Sequence, residues 1–184
     1  MTHGNWSQEL YIKSYKFAAA AHRGQTVPGT ELPYVMHLSF VSMEIMAALR
    51  IESGHDEDLA VQCALLHDVI EDTETTYQRL MEEFGRTVAA GVLALSKDKT
   101  LAKPQQMADS LRRIIQQPPE IRMVKLADRI TNLQPPPAFW TKHKIEKYRA
   151  GAFEILNTLG EASDFLSMRL REKIGAYGPY SGDR

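Results

Sequence analysis

The chain is poor in cysteine: Cys63 is the only one among 184 residues, which excludes an intrachain disulfide and a CxxC-type metal site. A reducing compartment suits such a sequence, and a cytoplasmic location is the expectation. Long apolar runs are also missing. No stretch of roughly 18 apolar residues is available to span a bilayer, and the opening MTHGNWSQELYIKSY lacks the apolar run of a secretory signal. Charge of either sign is nearly balanced, with a net of −1, so neither a nucleic-acid polymer nor a membrane surface is an expected partner. Any basic patch has to be local and aimed at a small anion. No alternating strand pattern, internal repeat or domain-sized linker is found, and nothing sets an oligomeric state.

What is present is enough for a packed core. A hydrophobic content of 43% with 24% charged residues fits one globular domain, taken as residues 1–178. Apolar residues recur at helical spacing, which predicts an all-α bundle. A first helix ends near Gly24, and Gln25 to Pro33 reads as a loop because of Pro28, Gly29 and Pro33. A second helix from about Tyr34 to Leu49 carries His37. A third follows the acidic cluster Asp56, Glu57 and Asp58 and runs to about Glu71. Thr75 and Gln78 have capping-box spacing for a fourth, which Gly85 stops, and Val88 to Leu95 is a fifth. Helices over about 104–116, 120–133, 141–159 and 161–174 complete the bundle. The terminal GAYGPYSGDR is expected to fray, with 179–184 outside the domain.

The segment Leu65-Leu66-His67-Asp68-Val69-Ile70-Glu71-Asp72 carries the chemistry. On an unbroken helix His67 and Glu71 share one stripe and Asp68 and Asp72 the next. Such an acidic patch, facing an imidazole beside an apolar surface, repels itself without a cation, and a divalent metal resolves the repulsion. His67 and Asp68 project about 100° apart on a helix, so other segments must supply further ligands. His37, in PYVMH, and Asp128, in KLADR, are the natural suppliers, because each sits amid apolar neighbours where an unpaired ionisable group is costly. Taken singly, His37 reads as a hydrogen-bonded core residue, Asp128 as a partner of Arg129 or Lys125, and Glu71 and Asp72 as a solvated helix end. The joint pattern favours a metal site. Two imidazoles and two carboxylates suit manganese, iron, cobalt or zinc, with positions left for water and a phosphoryl oxygen.

Six segments in this order, AAHRGQ (20–25), PYVMH (33–37), HDVIEDT (67–73), FG (84–85), KDKTL (97–101) and KLADRITNL (125–133), resemble one family. It is that of the small alarmone hydrolases, relatives of the hydrolase domain in Rel/Spo-type proteins within the His-Asp (HD) phosphohydrolase superfamily. Trp140 and KIEKY (144–148) correspond as well, and the resemblance spans roughly residues 7 to 160. It implies a compact HD-type bundle of about eight to ten helices. It also implies manganese-dependent removal of the 3′-pyrophosphate from a nucleotide such as ppGpp, giving the nucleoside 5′-phosphate and pyrophosphate. By motif, His37, His67, Asp68 and Asp128 match metal ligands, and Glu71 and Asp72 match the catalytic carboxylates. Asn132 matches a residue near the ribose and phosphates, and Lys103, Lys144 and Tyr148 match nucleotide contacts.

Those roles are chemically coherent. A divalent ion acidifies water, and Glu71 can orient that water or take its proton. Asp72 either relays a proton to the leaving 3′ oxygen or positions the water. Lys99, Lys103 and Lys144 offset phosphate charge that the acidic cluster otherwise repels, and Arg23 is a further candidate to reach the nucleotide. One departure concerns the base. After AHRGQ, animal members of the family carry a basic pair that helps cradle guanine, whereas Thr26-Val27-Pro28-Gly29 has no charge and is one residue shorter before the histidine. Guanine and adenine alarmones, ppGpp and ppApp, are therefore both candidate substrates. The alternatives are another HD-type nucleotide phosphohydrolase, acting as a 5′-nucleotidase or an NADPH 2′-phosphatase, and a non-catalytic nucleotide sensor. The Glu71-Asp72 pair and the KLADRxxN form argue against the first, and the complete ligand set against the second. With about 50 residues following Asn132, alarmone synthesis is not expected.

Overall fold

A helix that is apolar on every side belongs at the centre of a bundle, and Leu59 to Leu66 is buried at every position in the computed structural model, which describes residues 6–181. In chain order the helices are α1 (Gln8–Ala21), α2 (Val35–Leu49), α3 (Glu57–Leu66), α4 (Val69–Asp72), α5 (Tyr77–Leu95), α6 (Lys103–Ile115), α7 (Pro119–Asn132), α8 (Lys142–Leu159) and α9 (Asp164–Ser181). A 3₁₀ turn at Gly160–Ala162 precedes the last. Helix α3 packs against α1, α2, α5 and α7, and α7 packs in turn on α2, α8 and α9. Among the described residues no strand forms, and one isolated bridge joins Thr26 to Pro33 across the loop between α1 and α2. The architecture is the all-α bundle that the periodicity predicts. No helix among the described residues is long and apolar enough to cross a membrane.

Local chemistry sets most of the helix starts. Asp56 caps α3 by accepting from the Leu59 N–H, and Glu57 and Asp58 follow in the first turn, where the helix dipole favours negative charge. Thr141 caps α8 by accepting from the Lys144 N–H. The cap of α5 differs from expectation: it is Thr76, accepting from Arg79 N, rather than Thr75. Thr75 Oγ1 instead accepts from Thr73 Oγ1 at 2.8 Å, and Gln78 turns to Glu82 at 2.9 Å, so no capping box closes. Gly85 interrupts α5 with φ +83°, a conformation that a side chain resists, and helical geometry resumes beyond it.

The carboxyl-terminal expectation also needs correcting. Helix α9 continues through Ser181 instead of fraying from Gly175, because Tyr177 is 2% exposed and its ring meets Tyr148 with centroids 6.3 Å apart. Burial of one aromatic side chain offsets the fraying cost of a helical turn. Residues 182–184, the rest of the expected tail, lie outside the described residues.

Helices α5 and α7 approach closely at Gly91. A Cβ there would lie 2.4 Å from Ile121 Cδ1 and 3.3 Å from Cys63 Sγ, and Ile121 is fully buried. Gly91→Val is therefore expected to lower unfolding free energy by about 1–3 kcal/mol, through overpacking against side chains with nowhere to move. An unchanged urea midpoint and slope would show that α5 and α7 can part without cost.

Candidate active site

The HD segment does not stay helical, and that break makes the site. Helix α3 stops at Leu66, His67 and Asp68 form a turn, and α4 starts at Val69. Asp68 takes φ −102° and ψ −3°, in the sparsely populated bridge region. The expected arrangement of two stripes on one helix is thus corrected. On an intact helix these neighbours diverge, whereas here His67 Nε2 and Asp68 Oδ2 come within 2.9 Å. The turn aims both side chains at one point.

Two other helices meet them there. His37, in the first turn of α2, places Nε2 3.2 Å from His67 Nε2 and 3.7 Å from Asp68 Oδ2. Asp128, near the end of α7, places Oδ1 3.5 Å from His37 Nε2 and 3.8 Å from His67 Nε2. His37, His67 and Asp128 offer ligand atoms that all lie within 4.8 Å of one another, and all three residues are buried. Asp68 joins this group through the two imidazoles.

The outward hydrogen bonds fix which nitrogens point inward. His67 Nδ1 lies 2.8 Å from the Ala64 carbonyl, which only accepts, so Nδ1 carries the hydrogen. Thr131 donates its hydroxyl proton to the Asp128 carbonyl at 2.9 Å and has a lone pair 3.4 Å from His37 Nδ1. Both Nε2 lone pairs then face each other at 3.2 Å. Two facing lone pairs between two carboxylates require a cation, either a shared proton or a metal ion. The spacings suit a first-row divalent ion, whose ligand bonds of about 2.1 Å put neighbouring donors roughly 3.0–3.4 Å apart. The donor set fits a divalent metal.

The charges agree. Burial alone pushes the His67 imidazole down, but the Asp68 carboxylate, and Asp128 behind it, overrule that and hold it up at about 9. Burial pushes Asp68 up, yet His67 beside it holds the carboxyl below the ordinary range. Asp128 is held well below it, against its burial, chiefly by the Lys125 ammonium and then by the two imidazoles. Lys125 Nζ takes Asp128 Oδ2 at 2.9 Å, so the pairing expected of an isolated Asp128 is real, but it uses one oxygen and leaves Oδ1 for the cluster. Tyr34 donates to Asp68 Oδ2 at 2.5 Å. Burial first, then Asp68, raises its phenol far above the usual range, so it stays a donor.

Glu71 and Asp72 stand beside this centre on α4, each with a lysine. Glu71 accepts from the Lys97 backbone N–H through Oε2 and from Lys97 Nζ through Oε1, both at 2.8 Å. Lys99 Nζ donates to the Glu71 carbonyl and lies 3.4 Å from Asp72 Oδ1. Burial, with Asp68 and Glu71 nearby, raises the Asp72 carboxyl despite Lys99.

The remaining candidates differ in how they relate to this centre. Asn132 Nδ2 donates to Asp128 Oδ1 at 2.5 Å, so it orients a member of the cluster. Tyr148 lies under the Arg129 guanidinium, 4.3 Å from its ring centre, and edge-on to Trp140. Lys144 lies 4.1 Å over the Trp140 ring. Arg23, just beyond α1, and Lys103, in the first turn of α6, are exposed and make no contact with the cluster. Sequence reasoning missed Tyr34, Lys97 and Thr131, although each lies inside one of the family-like motifs. A tyrosine three residues before His37 and a threonine three after Asp128 were the available signals.

A helical frame that brings a histidine, a His-Asp pair and a distant aspartate to one point is that of an HD-type hydrolase. The HD-domain profile matches residues 14–161, and the chain belongs to that family, in its Spo-type branch. Among curated relatives, guanosine-3′,5′-bis(diphosphate) 3′-pyrophosphohydrolase MESH1 of Mus musculus is 30% identical over 88% of this chain and 90% of its own length. The Homo sapiens MESH1 is 31% identical over 80% of this chain and 83% of its own. The bifunctional (p)ppGpp synthase/hydrolase SpoT of Escherichia coli K12 is 37% identical over 66% of this chain, a stretch that covers 17% of that protein. A solved structure of a metazoan ortholog of SpoT, described as hydrolysing ppGpp and acting in starvation responses, superposes with TM-score 0.82. It is 26% identical over 95% of this chain and 98% of its own.

Proposed function

We propose that this protein is a metal-dependent nucleotide 3′-pyrophosphohydrolase that converts ppGpp, and ppApp alike, to the nucleoside 5′-phosphate and pyrophosphate. The observation that carries the reading is the pair of imidazole Nε2 atoms 3.2 Å apart between Asp68 and Asp128, one helical turn from Glu71 and Asp72. The names of the MESH1 relatives and the SpoT ortholog supply the reaction class.

His37, His67, Asp68 and Asp128 would hold one divalent ion, manganese by the family's habit. When bound, the ion supplies acidified water and screens the phosphate charge. Glu71, fixed in orientation by the Lys97 N–H, accepts the proton of the attacking water. Asp72, whose carboxyl is raised, retains a proton more readily and suits delivery to the 3′ oxygen as the P–O bond breaks. Lys99 meets phosphate charge at the carboxylate side, and Asn132 keeps Asp128 aimed at the centre. Arg23, Lys103, Lys144 and Tyr148 are the candidate contacts for the rest of the nucleotide. The uncharged stretch Thr26 to Gly29 offers no ionic contact to a guanine edge, which favours acceptance of both purines.

The test is a manganese-supplemented assay on ppGpp, ppApp, pApp and NADPH side by side. Pyrophosphate release from the first two, at rates within about tenfold of each other, is the expected result. Orthophosphate from pApp or NADPH, with ppGpp and ppApp untouched, would replace this reading with that of a nucleotide phosphatase.

A further inference from the structure

The loop Ser96-Lys97-Asp98-Lys99-Thr100 faces α4 with two ammonium groups, and both are engaged with the acidic pair. Lys97 holds Glu71, and Lys99 reaches the Glu71 carbonyl and Asp72. A cavity of about 570 Å³ opens over these pairs, lined by Ile70, Glu71, Ser96, Lys97 and Lys99 among others. The two arginines in its wall are committed to structure. Arg113 binds Asp109 and the carbonyls of Leu93, Ala94 and Ser96, and Arg112 binds Asp109. These bonds anchor the root of the loop and leave the lysine side chains as its movable cations.

The Glu71–Lys97 pair is asymmetric. One carboxylate oxygen is held by a backbone N–H, which cannot leave without moving the anchored loop. The other is held by the ammonium of a side chain that is 37% exposed. Departure of that one group frees a lone pair on a carboxylate whose orientation is kept by the backbone.

Resting on the pyrophosphohydrolase reading, we propose that Lys97 is a specificity-determining residue that exchanges Glu71 for the substrate's pyrophosphoryl group, so that a polyanion unmasks the base. A monophosphate, with fewer charges and a shorter reach, competes less well for an ammonium already paired with a carboxylate. Selection of pyrophosphate over monophosphate is thus built into the ion pair. Lys97 acts on substrate and on Glu71 at once.

Binding measurements separate this from a structural ion pair without relying on turnover. Inorganic pyrophosphate and orthophosphate are titrated calorimetrically into the full chain, at one saturating manganese concentration for all variants. Lys97→Met is expected to weaken pyrophosphate binding by about ten- to a hundredfold, with little change for orthophosphate, and Lys97→Arg to recover most of the loss. Glu71→Gln removes the competing carboxylate and is expected to tighten pyrophosphate binding by several-fold. The two halves of one ion pair therefore move affinity in opposite directions. Weakening by both substitutions, or an equal loss for both anions in Lys97→Met, overturns the proposal. If wild type binds pyrophosphate selectively and the variants shift as stated but no nucleotide is cleaved, the subsite stands and the assigned reaction falls.

Discussion

Replacing Asp68 by alanine is expected to leave a folded protein that retains no divalent ion after dialysis and turns over no substrate. Asp68 is the residue for this test because its place is in a turn, outside the close-packed interior of α3. Its Oδ2 touches both imidazoles and receives the Tyr34 hydroxyl, so removing it strips the cluster of one of its two carboxylates. Loss of a group that merely orients a ligand commonly costs ten- to a hundredfold in metal affinity, and loss of a ligand costs more. Stability should fall modestly: the Tyr34 hydroxyl is left without its acceptor, at about 1–3 kcal/mol, while the burial of one carboxylate is relieved. Elemental analysis, read beside far-UV circular dichroism, checks both parts. Metal retained at the wild-type level would remove Asp68 from the ligand set and leave His37, His67 and Asp128 as the donors.

How much of this was readable from the chain depends on the kind of interaction. The bundle was legible because burial imposes a 3.6-residue rhythm on each helix, and the glycine at 85 and the acidic start of α3 mark boundaries by local chemistry. Asp68 reaches the cluster by a geometry other than the one the helical periodicity implied. Periodicity carries α3 through to Glu71, whereas tertiary demands break it at His67, and no local signal in Leu-Leu-His-Asp-Val announces a turn. The same limit explains Thr76 against Thr75, since either threonine caps a helix and only the path of the preceding turn decides. Tyr34, Thr131 and Lys97 act through partners 34, 94 and 26 residues away. Pairings at such separation leave no periodicity. Tyr177 extends α9 for a similar reason: a small, polar, glycine-containing tail looks loose until the core offers its aromatic ring a place.

Glu71→Gln is the second large effect: the metal should stay and kcat should fall by a factor on the order of 10²–10⁴, the usual range for loss of a general base. The substitution is isosteric, and the amide oxygen can still accept from the Lys97 N–H, so the side chain keeps its place. What changes is the second position. An amide NH₂ aimed at Lys97 Nζ sets donor against donor, the ammonium departs, and no basic lone pair remains to take a proton. Substrate binding should therefore hold or improve while the chemical step slows, which appears as a fall in kcat without a rise in KM. That split distinguishes a base from a residue that only shapes the pocket, because a shaping residue would raise KM. Near-normal kcat in Glu71→Gln would leave Asp72 as the only other carboxylate on α4 to carry proton transfer. Asp72 is poorly suited to accept that proton, because burial and two neighbouring carboxylates make it hold its own more tightly. A group inclined to keep a proton is suited to giving one to a leaving oxygen. On the proposed reading, position would divide the labour: the backbone-anchored carboxylate would accept a proton, and the crowded one would deliver it.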